Sequence, residues 1–135
     1  MTFFEQYFER LDGPEPNRSL ELVAEDVEFS IQWAAGVDRK SSQFVGGLAE
    51  LRGFIDAGDM DGWAHYVLFG GEDHGVEFAL GETRYDSGER IGTFLAVAQL
   101  DGEGKMRRYM VARSPVLAFP TPTARPTTAS DARSA

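Results

Sequence analysis

The sequence predicts an α+β domain in which helices pack on one face of a curved antiparallel sheet. Three observations carry that expectation. Residues 1–58 read as helix, helix, strand, helix. From Trp63 onward, four β-rich runs follow one another across gaps short enough for hairpins. A 42% apolar fraction with ten Phe, four Tyr and two Trp is ample for one core.

The opening "TFFEQYFERLDG" sets Phe4, Tyr7, Phe8 and Leu11 at i, i+3, i+4, i+7, the one-sided stripe of an amphipathic helix. Thr2 and Glu5 have capping-box spacing, and Gly13-Pro14 ends the helix. "NRSLELVAED" predicts a second, shorter helix starting at Asn17 or Ser19. In "VEFSIQW", Val27, Phe29, Ile31 and Trp33 alternate with polar residues, as in a half-buried strand. The polar "AAGVDRKSSQ" reads as a loop, and "GGLAELRGFIDAG" as a helix presenting Leu48, Leu51, Phe54 and Ile55. The runs "WAHYVLF", "GVEFALGETRY", "RIGTFLAVAQL" and "KMRRYMVARSPV" then predict an antiparallel meander with turns at "GGEDH", "DSG" and "DGEG".

At 135 residues the chain fits one domain, expected over 1–119. The closing "PTPTARPTTASDARSA", residues 120–135, has no large apolar residue and is expected to be a disordered tail. A formal charge of −9 repels the phosphate backbone, which argues against nucleic acid as a partner. With no cysteine there is no disulfide framework, so a cytoplasmic location is the expectation. The N-terminus lacks the pattern of a secretory signal, and no apolar stretch suits a membrane span.

The element order, with "FFEQYFERLDG", "AEDVEFSI", "FVGGLAELRGFI" and "DGEGKMRRYMV", resembles the SnoaL-like branch of the nuclear transport factor 2-like superfamily over roughly residues 2–117. The resemblance implies a cone: a strongly bent sheet wrapped around helices, with a pocket between them. It implies homodimers that meet sheet to sheet. It also covers isomerases, polyketide cyclases, dehydratases, epoxide hydrolase relatives and members without catalysis, so function must be argued from the site.

By that resemblance Tyr7 stands where a ketosteroid isomerase tyrosine donates to a developing oxyanion. The alternative is an aromatic of the helical stripe whose hydroxyl finds a partner. The isomerase carboxylate base falls on Ile31, and its protonated acid on Ala96 or Val97 according to the turn from which one counts. None of the three carries a proton, so the familiar isomerase pair is absent. The epoxide hydrolase pattern fares no better, since "TRYD" supplies Arg84-x-Asp86 while "RRYM" puts Arg108 where the second acid belongs.

His65 alternates with Trp63, Val67 and Phe69, so it can face the pocket as a base near neutral pH. No carboxylate is readable beside it in the strand, which leaves a satisfied, half-buried histidine as the alternative. His74, in a turn, reads as solvated. On the last strand Arg107, Tyr109, Val111 and Arg113 share one face, opposite Met106, Arg108, Met110 and Ala112, and the resemblance turns the Tyr109 face inward. Tyr109 and Arg113 then offer a donor and a cation to a ligand, unless the arginines pair with acids such as Glu77 or Glu82. No phosphate-cradling glycine pattern and no metal-ligand spacing is present, so neither cofactor nor metal is expected.

The expected site therefore has Tyr7 and His65 as proton-handling residues and Phe8, Phe29, Trp33, Tyr109 and Arg113 as pocket lining. Its ligand is expected to be a small apolar or carbonyl-bearing molecule. Any reaction is expected to be a cofactor-independent isomerisation, cyclisation or dehydration. The competing expectation is a non-catalytic binding or dimerisation module.

Overall fold

The structure is a computed structural model that describes residues 1–34, 41–58 and 62–119, with 33–34 and 41–43 described through the backbone alone. The anticipated tail at 120–135 lies outside the described residues, as does the 35–40 part of the anticipated loop.

Helix α1 spans Phe3–Leu11 and buries Phe4, Tyr7, Phe8 and Leu11. Its start is held as the sequence indicates: Glu5 N–H donates to Thr2 Oγ1 at 3.3 Å, and Thr2 N–H donates to the Glu5 carboxylate at 2.8 Å. A 3₁₀ helix over Pro16–Leu22 follows, in place of the anticipated α-helix through "VAED". Ser19 Oγ donates back to the Pro16 carbonyl at 2.7 Å, tightening the turn. The chain then straightens into strand β1, Val23–Ala34, four residues earlier than its alternation suggested.

A second departure is strand β2, Ser41–Gly46, where the sequence reads as loop; it pairs antiparallel with β1 from Phe29↔Gly46 to Ala34↔Ser41. Helix α2, Leu48–Asp56, buries Leu51 and Ile55, and the Glu50 carboxylate accepts from Gly47 N–H at 2.7 Å. Strands β3 (Trp63–Asp73), β4 (Val76–Tyr85), β5 (Arg90–Leu100) and β6 (Met106–Ser114) form the expected meander. Strand β3 runs past the anticipated "GGEDH" turn to Asp73, and the reversal falls on His74-Gly75, both with positive φ as a two-residue hairpin requires.

The six strands lie in the order β2-β1-β6-β5-β4-β3. The sheet is mixed rather than wholly antiparallel, because β1 runs parallel to β6. Register shifts at Val67/Phe69, Thr83/Arg84 and Gln99/Leu100 mark the irregularities that bend strands. They also correct two assignments of face. Phe69 pairs with Leu80 beyond the shift and is 40% exposed, off the side that holds His65. Met106 follows the shift on its neighbour and is fully buried, not on the exposed side with Met110.

The inner face of the sheet carries Ala79, Phe94, Ala96, Ala98, Tyr109 and Val111, which meet the α1 stripe in one core. Small residues let α1 approach. Gly81 does the same within the sheet, since a Cβ there would drive into the Phe94 ring and the Tyr66 carbonyl oxygen. Among the described residues no helix is long and apolar enough to cross a membrane.

Candidate active site

Strand β3 delivers His65 to the inner face, directly across from Thr83 on β4. Helix α1 ends one residue before Asp12, its C-cap, which brings that carboxylate against β3. The two meet: His65 Nδ1 lies 3.0 and 3.1 Å from the two Asp12 oxygens, and His65 backbone N–H donates to the same carboxylate at 2.7 Å. Their side chains are only 13% and 11% exposed. With Nδ1 holding its proton against Asp12, the lone pair of the neutral ring lies on Nε2. That is the arrangement of a general base whose partner fixes the tautomer and steadies the imidazolium.

Aromatic rings fix the imidazole further. Phe8 stacks on it with centroids 4.2 Å apart and planes 9° from parallel, Phe94 meets it edge-on at 5.4 Å, and Trp63 lies 5.2 Å away. Asp12 was missed by sequence reasoning because its partner is 53 residues away. A signal was present nonetheless. An acid at a helix C-terminus opposes the helix dipole and needs a compensating donor.

Tyr7 and Tyr109 meet deeper in the interior, with ring centroids 5.6 Å apart. Burial pushes the Tyr7 phenol well above its usual value, a hydrogen bond with Ser19 pulls it back, and the Asp12 charge adds to the rise. Since Ser19 Oγ donates to Pro16, it accepts from Tyr7, which ties α1 to the 3₁₀ helix. The Tyr109 phenol is also raised, by burial first and then by Tyr7 and Asp12. Both are neutral donors at ordinary pH. Phe29 is buried in the core opposite Tyr109 on the adjoining strand. The Trp33 side chain lies outside the described residues.

Arg113 reaches the same inner face from β6. Its NH2 donates to Thr83 Oγ1 at 2.7 Å, and its guanidinium lies over the Trp63 ring at 5.7 Å. Glu82 is engaged elsewhere, by Arg84 at 3.0 Å and Arg90 at 3.8 Å. Ile31 and Ala96 point inward and Val97 outward, so the counting from the "DGEG" turn identifies the inner residue and the isomerase carboxylates are absent from these positions. On the outer face a groove of about 460 Å³ is lined in part by Glu28, Ser30, Val97, Gln99, Arg108 and Met110. Among the described residues no three His, Asp or Glu side chains converge as metal ligands.

No family model and no curated protein matches the sequence. Solved structures do. An Agrobacterium tumefaciens protein provisionally assigned as an isomerase of the SnoaL-like family superposes with a TM-score of 0.65 at 10% identity, covering 83% of this chain and 94% of its own. IdmH of Streptomyces antibioticus, provisionally assigned as a polyketide cyclase, gives 0.64 at 11% identity over 83% and 89%. A nuclear transport factor 2-like protein of unknown function from Cytophaga hutchinsonii gives 0.55 at 11% identity over 84% and 88%. The chain has the nuclear transport factor 2-like fold. At such identities the likeness establishes this fold, and the chemistry rests on the residues themselves. Within the nuclear transport factor 2-like frame, what the inner face offers among the described residues is the histidine–aspartate pair, aromatic walls and Arg113.

Proposed function

We propose that the chain is a cofactor-independent acid–base enzyme of the isomerase, cyclase or dehydratase kind, acting on a small, largely apolar, carbonyl-bearing molecule. One observation carries the reading: the half-buried His65–Asp12 pair, with Nδ1 3.0 Å from the carboxylate and the ring stacked on Phe8. His65 Nε2 takes a proton from the carbon next to the carbonyl, and the electron pair passes to the carbonyl oxygen as an enolate. Asp12 steadies the imidazolium so formed. The imidazolium returns the proton to a different carbon in an isomerisation, to the alkoxide formed when the enolate attacks a second carbonyl in a cyclisation, or to the β-hydroxyl that the enolate expels as water in a dehydration. The names of the similar proteins, an isomerase and a polyketide cyclase by provisional assignment, agree in kind.

The test needs no knowledge of the natural substrate. Ketones are incubated with the protein in D₂O, and deuterium uptake next to the carbonyl is followed by NMR. Uptake above the buffer rate is expected, with His65→Gln slowing it roughly 10²–10⁴-fold, the usual span for a general base. Asp12→Asn should slow it while leaving the ring in place. Uptake unaffected by His65→Gln would remove the base assignment.

A second reading, a non-catalytic binding or dimerisation module, is favoured by the inner rings. Tyr7, Phe8, Phe94 and Tyr109 fill much of the interior by contact with one another or with α1. Under it, no ketone in the panel takes up deuterium faster than in buffer.

A further inference from the structure

We propose that residues 115–117 form a strap along the start of β5, latched by Arg90, and that it opens and closes while the rest of the sheet stays folded. The chain leaves the ladder where β6 ends. Ser114 still pairs with Thr93, but Pro115 has no N–H to give, and the N–H groups of Val116 and Leu117 donate to Ser114 Oγ at 3.3 and 3.1 Å. The departing chain stays close, since a Cβ on Gly92 would lie 3.2 Å from the Ser114 carbonyl oxygen and 3.5 Å from Pro115 Cα. The Leu117 carbonyl then accepts from Arg90 Nη2 at 2.7 Å, which fastens the far end of the strap.

The latch belongs to the sheet rather than to the strap. Arg90 Nη2 also donates to Thr93 Oγ1 at 3.1 Å, and Arg90 Nε lies 3.8 Å from the Glu82 carboxylate. Thr93 pairs with Glu82 and alternates with the inward Phe94, so this buried cluster sits on the outer side of the sheet. The guanidinium thus keeps its place when the strap leaves. The strap has no comparable anchor of its own. Val116 and Leu117 are 68% and 59% exposed, so little apolar burial opposes the entropy gained when three residues are released. Opening breaks the charge-assisted bond to Leu117 and lays the Arg90 guanidinium open to water. The strap is therefore a two-state element at one end of the outer face, covering a charge when shut and presenting it when open, and whatever docks on that end biases it.

Digestion of the full chain with chymotrypsin, followed by intact mass, tests the latch. The protease needs the Leu117 carbonyl in its own oxyanion hole, so it cuts there only when Arg90 has let go, and Phe119 offers no competing site because Pro120 follows it. Wild type is expected to lose residues 118–135 at a rate that scarcely changes in urea below the unfolding transition, once the protease's own response to urea is subtracted, because local opening exposes little surface. Arg90→Gln should be cut at least ~10-fold faster, the scale of one hydrogen bond to a charged group. Arg90→Lys keeps a cation beside Glu82 but lacks the planar fork. It should also be cut faster, and it decides if the Gln variant does not fold. A folded variant cut no faster than wild type, a wild-type chain never cut at Leu117, or a wild-type rate that climbs with urea as steeply as global unfolding would each overturn the proposal.

Discussion

Tyr7 and Tyr109 are in contact in the core, and neither can ionise there without losing the hydration its phenolate needs. Both phenols are held above their ordinary value of about 10 in the folded chain and titrate near it when unfolded. The folded state therefore binds more protons above pH 10. Stability is whole below that pH and falls as pH rises, by up to about 1.4 kcal/mol per pH unit for each phenol. Arg113 works in the opposite sense, because its folded value is depressed, so differences between variants are the readout. Urea unfolding at pH 8, 10 and 11 should show Tyr109→Phe losing stability with pH less steeply than wild type. Tyr7→Phe should also flatten the decline, from a starting point lowered by about 1 kcal/mol for the lost Ser19 hydrogen bond. Equal slopes in all three proteins would mean that the phenols ionise in place. At this scale the sequence reveals side chains but not partners. Strand alternation was enough to orient His65, Tyr109 and Arg113, and helical spacing to orient Tyr7 and Phe8. Asp12, whose carboxylate meets the His65 ring, reads only as part of a helix stop, because chain folding alone brings residue 12 to residue 65.

Helix α1 owes its placement to a local device whose strength can be measured alone. Thr2 and Glu5 satisfy each other's backbone N–H groups, and the same hydrogen bonds hold the Glu5 carboxyl below its usual range. Thr2→Ala should therefore lower stability by about 1 kcal/mol in urea unfolding, the common cost of a lost N-cap. A Thr2→Ser variant, which keeps the acceptor, should lose much less; equal losses would assign the effect to the methyl group, not the cap. Elements built on such local signals were legible: α1 with its cap, α2 with its apolar stripe, and β5 to the residue. Elements that depend on a distant partner were not. Val23 to Asp26 read as helix, yet β6 pairs with Val23 through Met106 and draws it into strand. The polar "SSQ" at the start of β2 has no apolar pattern, and its strand exists because β1 offers a free edge. Hydrogen-bonding edges leave no period in the sequence.

At the level of the whole molecule, the outer face of the sheet is the feature that calls for a partner. Leu95 is 51% exposed, Met110 55%, Phe78 43% and Tyr66 42%, and these lie on adjoining strands as one apolar patch. Monomeric proteins seldom leave such a patch to water. We propose that a second copy of the chain covers it. Charge is the obvious objection, because two chains of formal charge −9 repel. This face answers it locally. Glu82 is buried between Arg84 and Arg90, and Arg108 lies 4.0 Å from Glu28, so acids facing the partner are matched by cations. Residual repulsion between the rest of the two surfaces then acts at long range, where salt screens it beyond about 8 Å at physiological ionic strength. Sedimentation equilibrium should accordingly find a dimer whose dissociation constant falls as salt rises from low to physiological concentration. Met110→Glu, which puts an unpaired charge into the patch, should yield folded monomers with an unchanged circular dichroism spectrum. A wild-type monomer at every concentration, or a Met110→Glu dimer as tight as wild type, would mean that this face meets something else.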